Sequence, residues 1–128
     1  MTADTGPEYH RRIFDTCESL MQLIGRLPVP VIAAVDGLAA AAGCQLVAST
    51  DIAVATPGSR FSTPGASVGL FCHTPGIPLA RRVPRAISGY MLLTGEPISG
   101  EEALRAGLIS KGWIKKARMY LSTGGIYS

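Results

Sequence analysis

The sequence predicts an α/β fold, because short apolar segments typical of buried strands alternate with segments of helical periodicity. Residues 8–26 predict an amphipathic helix, with Ile13 and Ile24 among the apolar side chains on one face. The continuous apolar run at 31–35 predicts a strand buried on both faces. A run of alanine and glycine follows and predicts a helix that continues to about Ser49.

Local signals predict the rest of the chain. Four further segments are predicted as short elements: strands at 51–55 and 60–62, and helices at 77–83 and 86–94. Between 57 and 76 the chain is rich in Gly, Pro, Ser and Thr, which predicts a loop with a turn at Pro64 and Gly65. Ser99 and Glu102 form a capping-box pattern that opens a helix ending before Gly107. Residues 108–110 predict a last strand.

Composition bounds the class of protein. A chain of 128 residues is one domain by size, and its hydrophobic fraction of 47% and mean hydropathy of +0.27 are high for a small soluble protein. They indicate a fragment, or a chain that buries surface against a partner. The three cysteines, Cys17, Cys44 and Cys72, are odd in number and lack metal-ligand spacing. They favour buried thiols in a reducing compartment over a disulfide framework, and they indicate no metal site.

The positive charge is concentrated in the last 18 residues. Residues 111–128 hold four basic groups and no acid, which leaves eight basic and nine acidic groups, a net charge of −1, in residues 1–110. The distribution therefore gives no indication of a nucleic-acid interface. No apolar run reaches the length of a membrane span, and no targeting peptide is visible at the start.

The segment 36–45 (DGLAAAAGCQ) is the most informative part of the chain. It predicts a tight turn followed by a helix whose first turn carries nothing larger than methyl groups. Small side chains leave the backbone N–H groups bare at the positive end of the helix, where a polarised oxygen can approach. Such a run also has an ordinary explanation in tight helix packing. Both interpretations stand on composition alone.

Several blocks in order resemble the enoyl-CoA hydratase/isomerase (crotonase) superfamily over residues 9–110. They are 28–39 (PVPVIAAVDGLA), 42–53 (AGCQLVASTDIA), 61–64 (FSTP), 69–71 (GLF) and 93–110 (LTGEPISGEEALRAGLIS). The resemblance implies a spiral of strand-strand-helix turns, the ClpP/crotonase fold, of which residues 1–110 are expected to form a part. Residues 111–128 are expected to be a divergent, disordered basic tail.

The resemblance also implies an acyl-CoA thioester as substrate or ligand, no other cofactor, and a trimer for full-length members. It places the chain in mitochondrial fatty-acid metabolism. One oxyanion donor of the family carries over to the N–H of Ala42, beside Gly43. The second donor is expected on a segment upstream of Met1. The family's two acid/base glutamates fall on Gln45 and Gly65, and Gly65 is expected to leave room where the acid would sit.

These departures predict a hydratase-like protein that at most holds an acyl-CoA thioester. A glutamine amide donates and accepts hydrogen bonds but transfers no proton near neutral pH, and glycine offers no group at all. Whether the chain is an enzyme at all is therefore left open by the sequence. The alternative prediction is a non-catalytic partner that associates with full-length crotonase chains through a face left uncovered by the missing turns.

Two other patterns have plain explanations. Cys44 lies near a predicted helix start, which favours a thiolate, yet neither His10 nor His73 has an acid placed to orient it. A buried, inert thiol is the preferred interpretation. The arginines around Pro84, at 81, 82 and 85, are interpreted as a solvated helix end rather than a contact for CoA phosphate.

Overall fold

The computed structural model describes residues 6–112 as five helices and six short strands. The helices are α1 (Gly6–Arg26), α2 (Ala42–Ser49), α3 (His73–Arg82), α4 (Arg85–Thr94) and α5 (Gly100–Ala106). The strands are β1 (Ile32–Val35), β2 (Leu38–Ala40), β3 (Ile52–Ala55), β4 (Arg60–Ser62), β5 (Ile98–Ser99) and β6 (Lys111–Gly112). A 3-10 turn spans Pro64–Val68. The expected disorder of the tail lies outside the described residues, apart from positions 111 and 112.

Two three-stranded sheets organise the chain. In the first, β3 lies between β1 and β6, and both pairings are parallel. In the second, β4 lies between β2 and β5, parallel to the former and antiparallel to the latter. The sheets are joined through Gly37, whose φ of +116° explains why glycine stands in the tight turn between β1 and β2. The strand-strand-helix order of β1, β2 and α2 agrees with the expected α/β spiral.

Most of the predicted elements are present, and the differences are instructive. The prediction of a strand at 108–110 was wrong, because the pairing with β3 is made by Lys111–Gly112. The strand β2 was missed, since alanine-rich segments are typical of helices and only pairing with β4 holds this one extended. The predicted loop between 57 and 76 contains the 3-10 turn and the start of α3.

One core cluster joins the two sheets to the helices. Its largest fully buried side chains include Phe61, Leu79, Met91 and Leu108. At the start of α5, Ser99 Oγ accepts from the N–H of Glu102, whose carboxylate accepts from the N–H of Ser99. These two bonds confirm the predicted capping box, and the bond from the Ser99 N–H to the carboxylate is the main reason why the pKa of Glu102 is lowered.

Much apolar surface remains exposed in the described part of the chain. The prediction that β1 is buried on both faces was wrong, because Ile32 is 51% exposed and Ala34 is also exposed. In α1 the only buried residue is Ile24, while Phe14 and Leu23 are more than half exposed. The amphipathic pattern of α1 is therefore correct as a helix signal, but its apolar face is largely uncovered here.

Candidate functional site

The amino terminus of α2 presents unpaired backbone donors. The first helical hydrogen bond runs from the N–H of Gln45 to the carbonyl of Ala41 at 3.0 Å. The N–H groups of Ala42 and Gly43 come before that bond, and no side chain caps this end of the helix. They lie at the positive end of the helix dipole, where a carbonyl or anionic oxygen is stabilised.

Backbone strain marks the same point. Ala41 has φ 50° and ψ −117°, and it is the only residue other than glycine with positive φ within residues 6–112. This conformation resembles the first central position of a type II′ turn, which favours glycine. Pairing of Ala40 with Ser62, and a 3.0 Å bond from the N–H of Ala41 to the Ser62 carbonyl, hold it in place. Strain of this kind costs about 1–3 kcal/mol and concentrates at functional sites.

The sequence did not reveal this strain, because a run of four alanines contains no glycine to signal positive φ. The sequence also predicted that small side chains leave the backbone N–H groups at the start of α2 uncovered, and the space around these residues supports that prediction. Ala42 is exposed, Gly43 is half-buried, and a Cβ placed on Gly43 would meet no atom within 4 Å. Tight packing therefore does not explain the small residue at 43. It does explain Ala39 and Ala48, which belong to the core cluster.

Gln45 lies on the first turn of the same helix. Its side chain is half-buried, and its amide has no hydrogen-bond partner in the described part of the chain. The backbone carbonyl accepts from Ser49 Oγ at 2.7 Å. A free amide near the α2 amino terminus can bind a ligand oxygen or hydroxyl, although it cannot relay a proton.

At Gly65 the expectation of free room was wrong. A Cβ at this position would lie 2.7 Å from Cys72 Sγ and 2.7 Å from the Leu70 carbonyl oxygen, too close for either atom. The Gly65 N–H donates to Cys72 Sγ at 3.2 Å, and its carbonyl accepts from the N–H of Leu70 at 2.8 Å. The loop is folded back onto Gly65, so the position is filled by its own neighbours rather than left empty.

Cys44 is an inert core thiol, as the preferred interpretation predicted. Its side chain is 0% exposed, and burial raises the pKa of the thiol to about 12, with a smaller contribution from Cys72. Desolvation therefore outweighs the helix terminus that favours a thiolate. Cys44 is unsuited to nucleophilic chemistry near neutral pH.

The three arginines have separate environments. Arg82 donates from its guanidinium to the carbonyl of Thr50, the residue that ends α2. Burial lowers the pKa of Arg82, and nearby Asp51 opposes that change. Arg81 and Arg85 are exposed. Arg82 thus ties α3 to α2, and the other two agree with a solvated helix end.

Residues 6–112 contain neither a metal-binding cluster nor a membrane-spanning helix. No group of three or more His, Cys, Asp or Glu side chains is arranged to hold a metal ion there. None of the helices in that range is long and apolar enough to cross a bilayer. The candidate site therefore consists of backbone donors and neutral side chains.

The chain is similar to known proteins of one family. The model of the enoyl-CoA hydratase/isomerase family matches residues 3–116. Mitochondrial enoyl-CoA hydratase domain-containing protein 3 is 62% identical in Xenopus laevis and 61% identical in Homo sapiens, over 111 residues and 87% of this chain. The match covers 38% and 37% of those two proteins, so the chain spans little more than a third of the curated relatives it matches.

Solved structures agree. The crystal structure of human enoyl-CoA hydratase domain-containing protein 3 superposes with a TM-score of 0.86 at 55% identity, covering 95% of this chain and 48% of that one. The enoyl-CoA hydratase of Mycobacterium smegmatis gives a TM-score of 0.85 at 46% identity, covering 96% and 48%. The start of α2 thus lies in a fold shared with enoyl-CoA hydratases. The chain belongs to the enoyl-CoA hydratase/isomerase (crotonase) family.

Proposed function

We propose that this chain is a hydratase-like protein of mitochondrial lipid metabolism that holds an acyl-CoA thioester without hydrating it. The observation that carries the proposal is the open amino terminus of α2, where strained Ala41 presents the N–H groups of Ala42 and Gly43. The carbonyl oxygen of a thioester is neutral and has two lone pairs that accept hydrogen bonds. Donors such as these N–H groups polarise the C=O bond. The mitochondrial setting follows from the names of the similar proteins.

The absence of hydration follows from the residues at the two acid/base positions. Gln45 has an amide that cannot exchange a proton near neutral pH, and Gly65 has no side chain and no space for one. A positioned general acid or base contributes roughly 10²–10⁴-fold to such a reaction. Losing both leaves binding and polarisation as the activity that this site can support.

Binding is tested by equilibrium titration of the full chain with butyryl-CoA, which has no double bond to hydrate. We expect saturable binding that is tighter than for free CoA, because only the thioester presents a carbonyl to α2. Gly43→Leu is expected to weaken it at least about tenfold by covering the donors, while Gly89→Leu serves as the matched control at another uncrowded helical glycine. Equal affinity for butyryl-CoA and free CoA would contradict the proposal.

Hydration is tested separately with crotonyl-CoA, followed at the absorbance of the conjugated thioester. The wild-type chain and Gln45→Ala are expected to give the same background rate, since neither carries an acid or base at this position. A clear wild-type rate that Gln45→Ala loses would show that the site performs proton transfer after all.

A second candidate function is association with full-length crotonase chains. In the described residues β1 and β2 are edge strands of the two parallel pairings, and Ile32 and Leu38 on them are 51% and 67% exposed. Parallel strands are ordinarily covered on both faces, and an open edge is a template for another strand. A crotonase chain that supplies neighbouring strands would cover this surface.

Light scattering after size exclusion tests this association, with and without an intact crotonase homologue. We expect the chain to elute with the homologue, and Leu38→Lys to reduce the complex by placing a charge at the open edge. Leu104→Lys, at an exposed leucine on α5, is the matched control. If the chain elutes as a monomer whether or not the homologue is present, the association is ruled out.

A further inference from the structure

We propose that the hydroxyl of Thr63 is a further binding group of this site, donating a hydrogen bond to the carbonyl oxygen of an acyl thioester held at the start of α2. The inference rests on the proposed thioester binding and adds a side-chain donor to the backbone N–H groups of α2. Thr63 Oγ1 is the one buried side-chain oxygen or nitrogen without a hydrogen-bond partner in the part of the chain that the structure describes. Three features of its position support the role.

The first feature is its place in the sheet. Ser62 ends β4, pairs with Ala40 of β2, and accepts the 3.0 Å bond from the N–H of Ala41. Thr63 follows Ser62 directly, so it lies level with Ala41, the residue that leads into α2. The carboxyl ends of two neighbouring parallel strands therefore place Thr63 beside the first turn of the helix. This edge is where α/β proteins commonly bind their ligands.

The second feature is the face from which the side chain emerges. Side chains alternate along a strand, so Thr63 continues the face of Phe61, which is 0% exposed. Phe61 pairs with Ala39, and both belong to the core cluster that includes Cys44 of α2. The Thr63 side chain is thus inferred to emerge on the face of β4 that carries Phe61, towards the core cluster that Cys44 of α2 joins.

The third feature is the missing partner. Thr63 is 0% exposed, and a buried hydroxyl without a hydrogen bond is destabilising, so such groups are rare in folded proteins. The cost disappears once an acceptor enters at this point. A thioester oxygen has two lone pairs, one for an N–H of the α2 terminus and one for the hydroxyl. The hydroxyl and the N–H group can therefore both donate to the same carbonyl oxygen, which only accepts hydrogen bonds.

Thr63→Val tests the inference, because valine keeps the shape of threonine and replaces the hydroxyl with a methyl group. We expect the ligand-free variant to melt at a higher temperature than wild type, since an unpaired buried polar group is gone. We also expect its affinity for butyryl-CoA to fall roughly three- to tenfold, with unchanged affinity for free CoA. Thr63→Ser keeps the hydroxyl and is expected to retain most of the affinity.

A spectroscopic readout separates binding from a structural role. With butyryl-CoA labelled at the carbonyl carbon, the infrared C=O band of the bound thioester should shift to lower frequency in wild type and less so in Thr63→Val. Wild-type butyryl-CoA binding that Thr63→Val leaves unchanged, in affinity and in band position, overturns the role of Thr63 alone. A lower melting temperature in ligand-free Thr63→Val overturns it too, because the hydroxyl then has a partner such as a buried water. No wild-type binding overturns the proposed function together with this inference.

Discussion

Replacing Gly65 with glutamate is expected to destabilise the protein and to leave it without hydratase activity. The new Cβ would lie 2.7 Å from both Cys72 Sγ and the Leu70 carbonyl oxygen, and one of these atoms belongs to the backbone. Gly65→Ala alone should therefore cost about 1–3 kcal/mol of unfolding free energy, and the larger, charged glutamate should cost more. Urea unfolding measures the loss, and crotonyl-CoA turnover measures the activity.

Two further variants separate crowding at position 65 from a general effect of substituting glycine. Gly89→Ala, in α4, is the matched control, because its Cβ would meet nothing within 4 Å and alanine favours the helix. Cys72→Ala in the Gly65→Ala background should recover only part of the stability, since the Leu70 carbonyl still blocks the position. A Gly65→Glu protein with wild-type stability and hydratase activity would show that the 65–72 loop opens readily.

Raising the pH from about 9 towards 12 is expected to destabilise the wild-type protein more than Cys44→Ala. Burial raises the pKa of the Cys44 thiol from 9.0 to about 12. The unfolded chain therefore releases this proton before the folded chain does, so the native state binds more protons in this range. Stability present below pH 9 is then lost as the pH rises, by up to about 1.4 kcal/mol per pH unit from this group.

Denaturant unfolding between pH 8 and 11 measures this dependence. Cys17→Ala is the matched control, because it removes a half-buried thiol on α1 instead of the fully buried thiol in the core. Its curve should run parallel to that of wild type, while the Cys44→Ala curve should be flatter. Parallel curves for wild type and Cys44→Ala would show that the buried thiol does not contribute to the alkaline loss.

Local signals predicted most helices because each is specified by residues close in sequence. The Ser99 and Glu102 pair opens α5, and Gly107 ends it with a φ of 80°, as the capping pattern required. The periodicity of residues 8–26 likewise predicted α1. Strands were less predictable, since β2 and β6 are only three and two residues long and exist through pairing with β4 and β3. Pairing partners distant in sequence leave little local trace.

The candidate site also has features that the sequence predicted and features that it could not predict. The family resemblance and the small residues at 42 and 43 pointed to the start of α2, and the structure agrees that backbone donors are open there. The strain at Ala41, the filled space at Gly65 and the unpaired hydroxyl of Thr63 could not be predicted. Each depends on a contact or a missing contact across the fold: Ser62 with Ala41, Cys72 with Gly65, and no partner for Thr63.

The sequence by itself determined the family, the α/β class, the helix caps and the absence of a carboxylate at 45 and 65. These depend on residue identity and on neighbours within a few positions. Only the tertiary structure decided whether a small residue borders open space or is closely packed by its neighbours. Gly43 borders empty space and Gly65 is enclosed, because side-chain volume depends on which distant segments fold against a position.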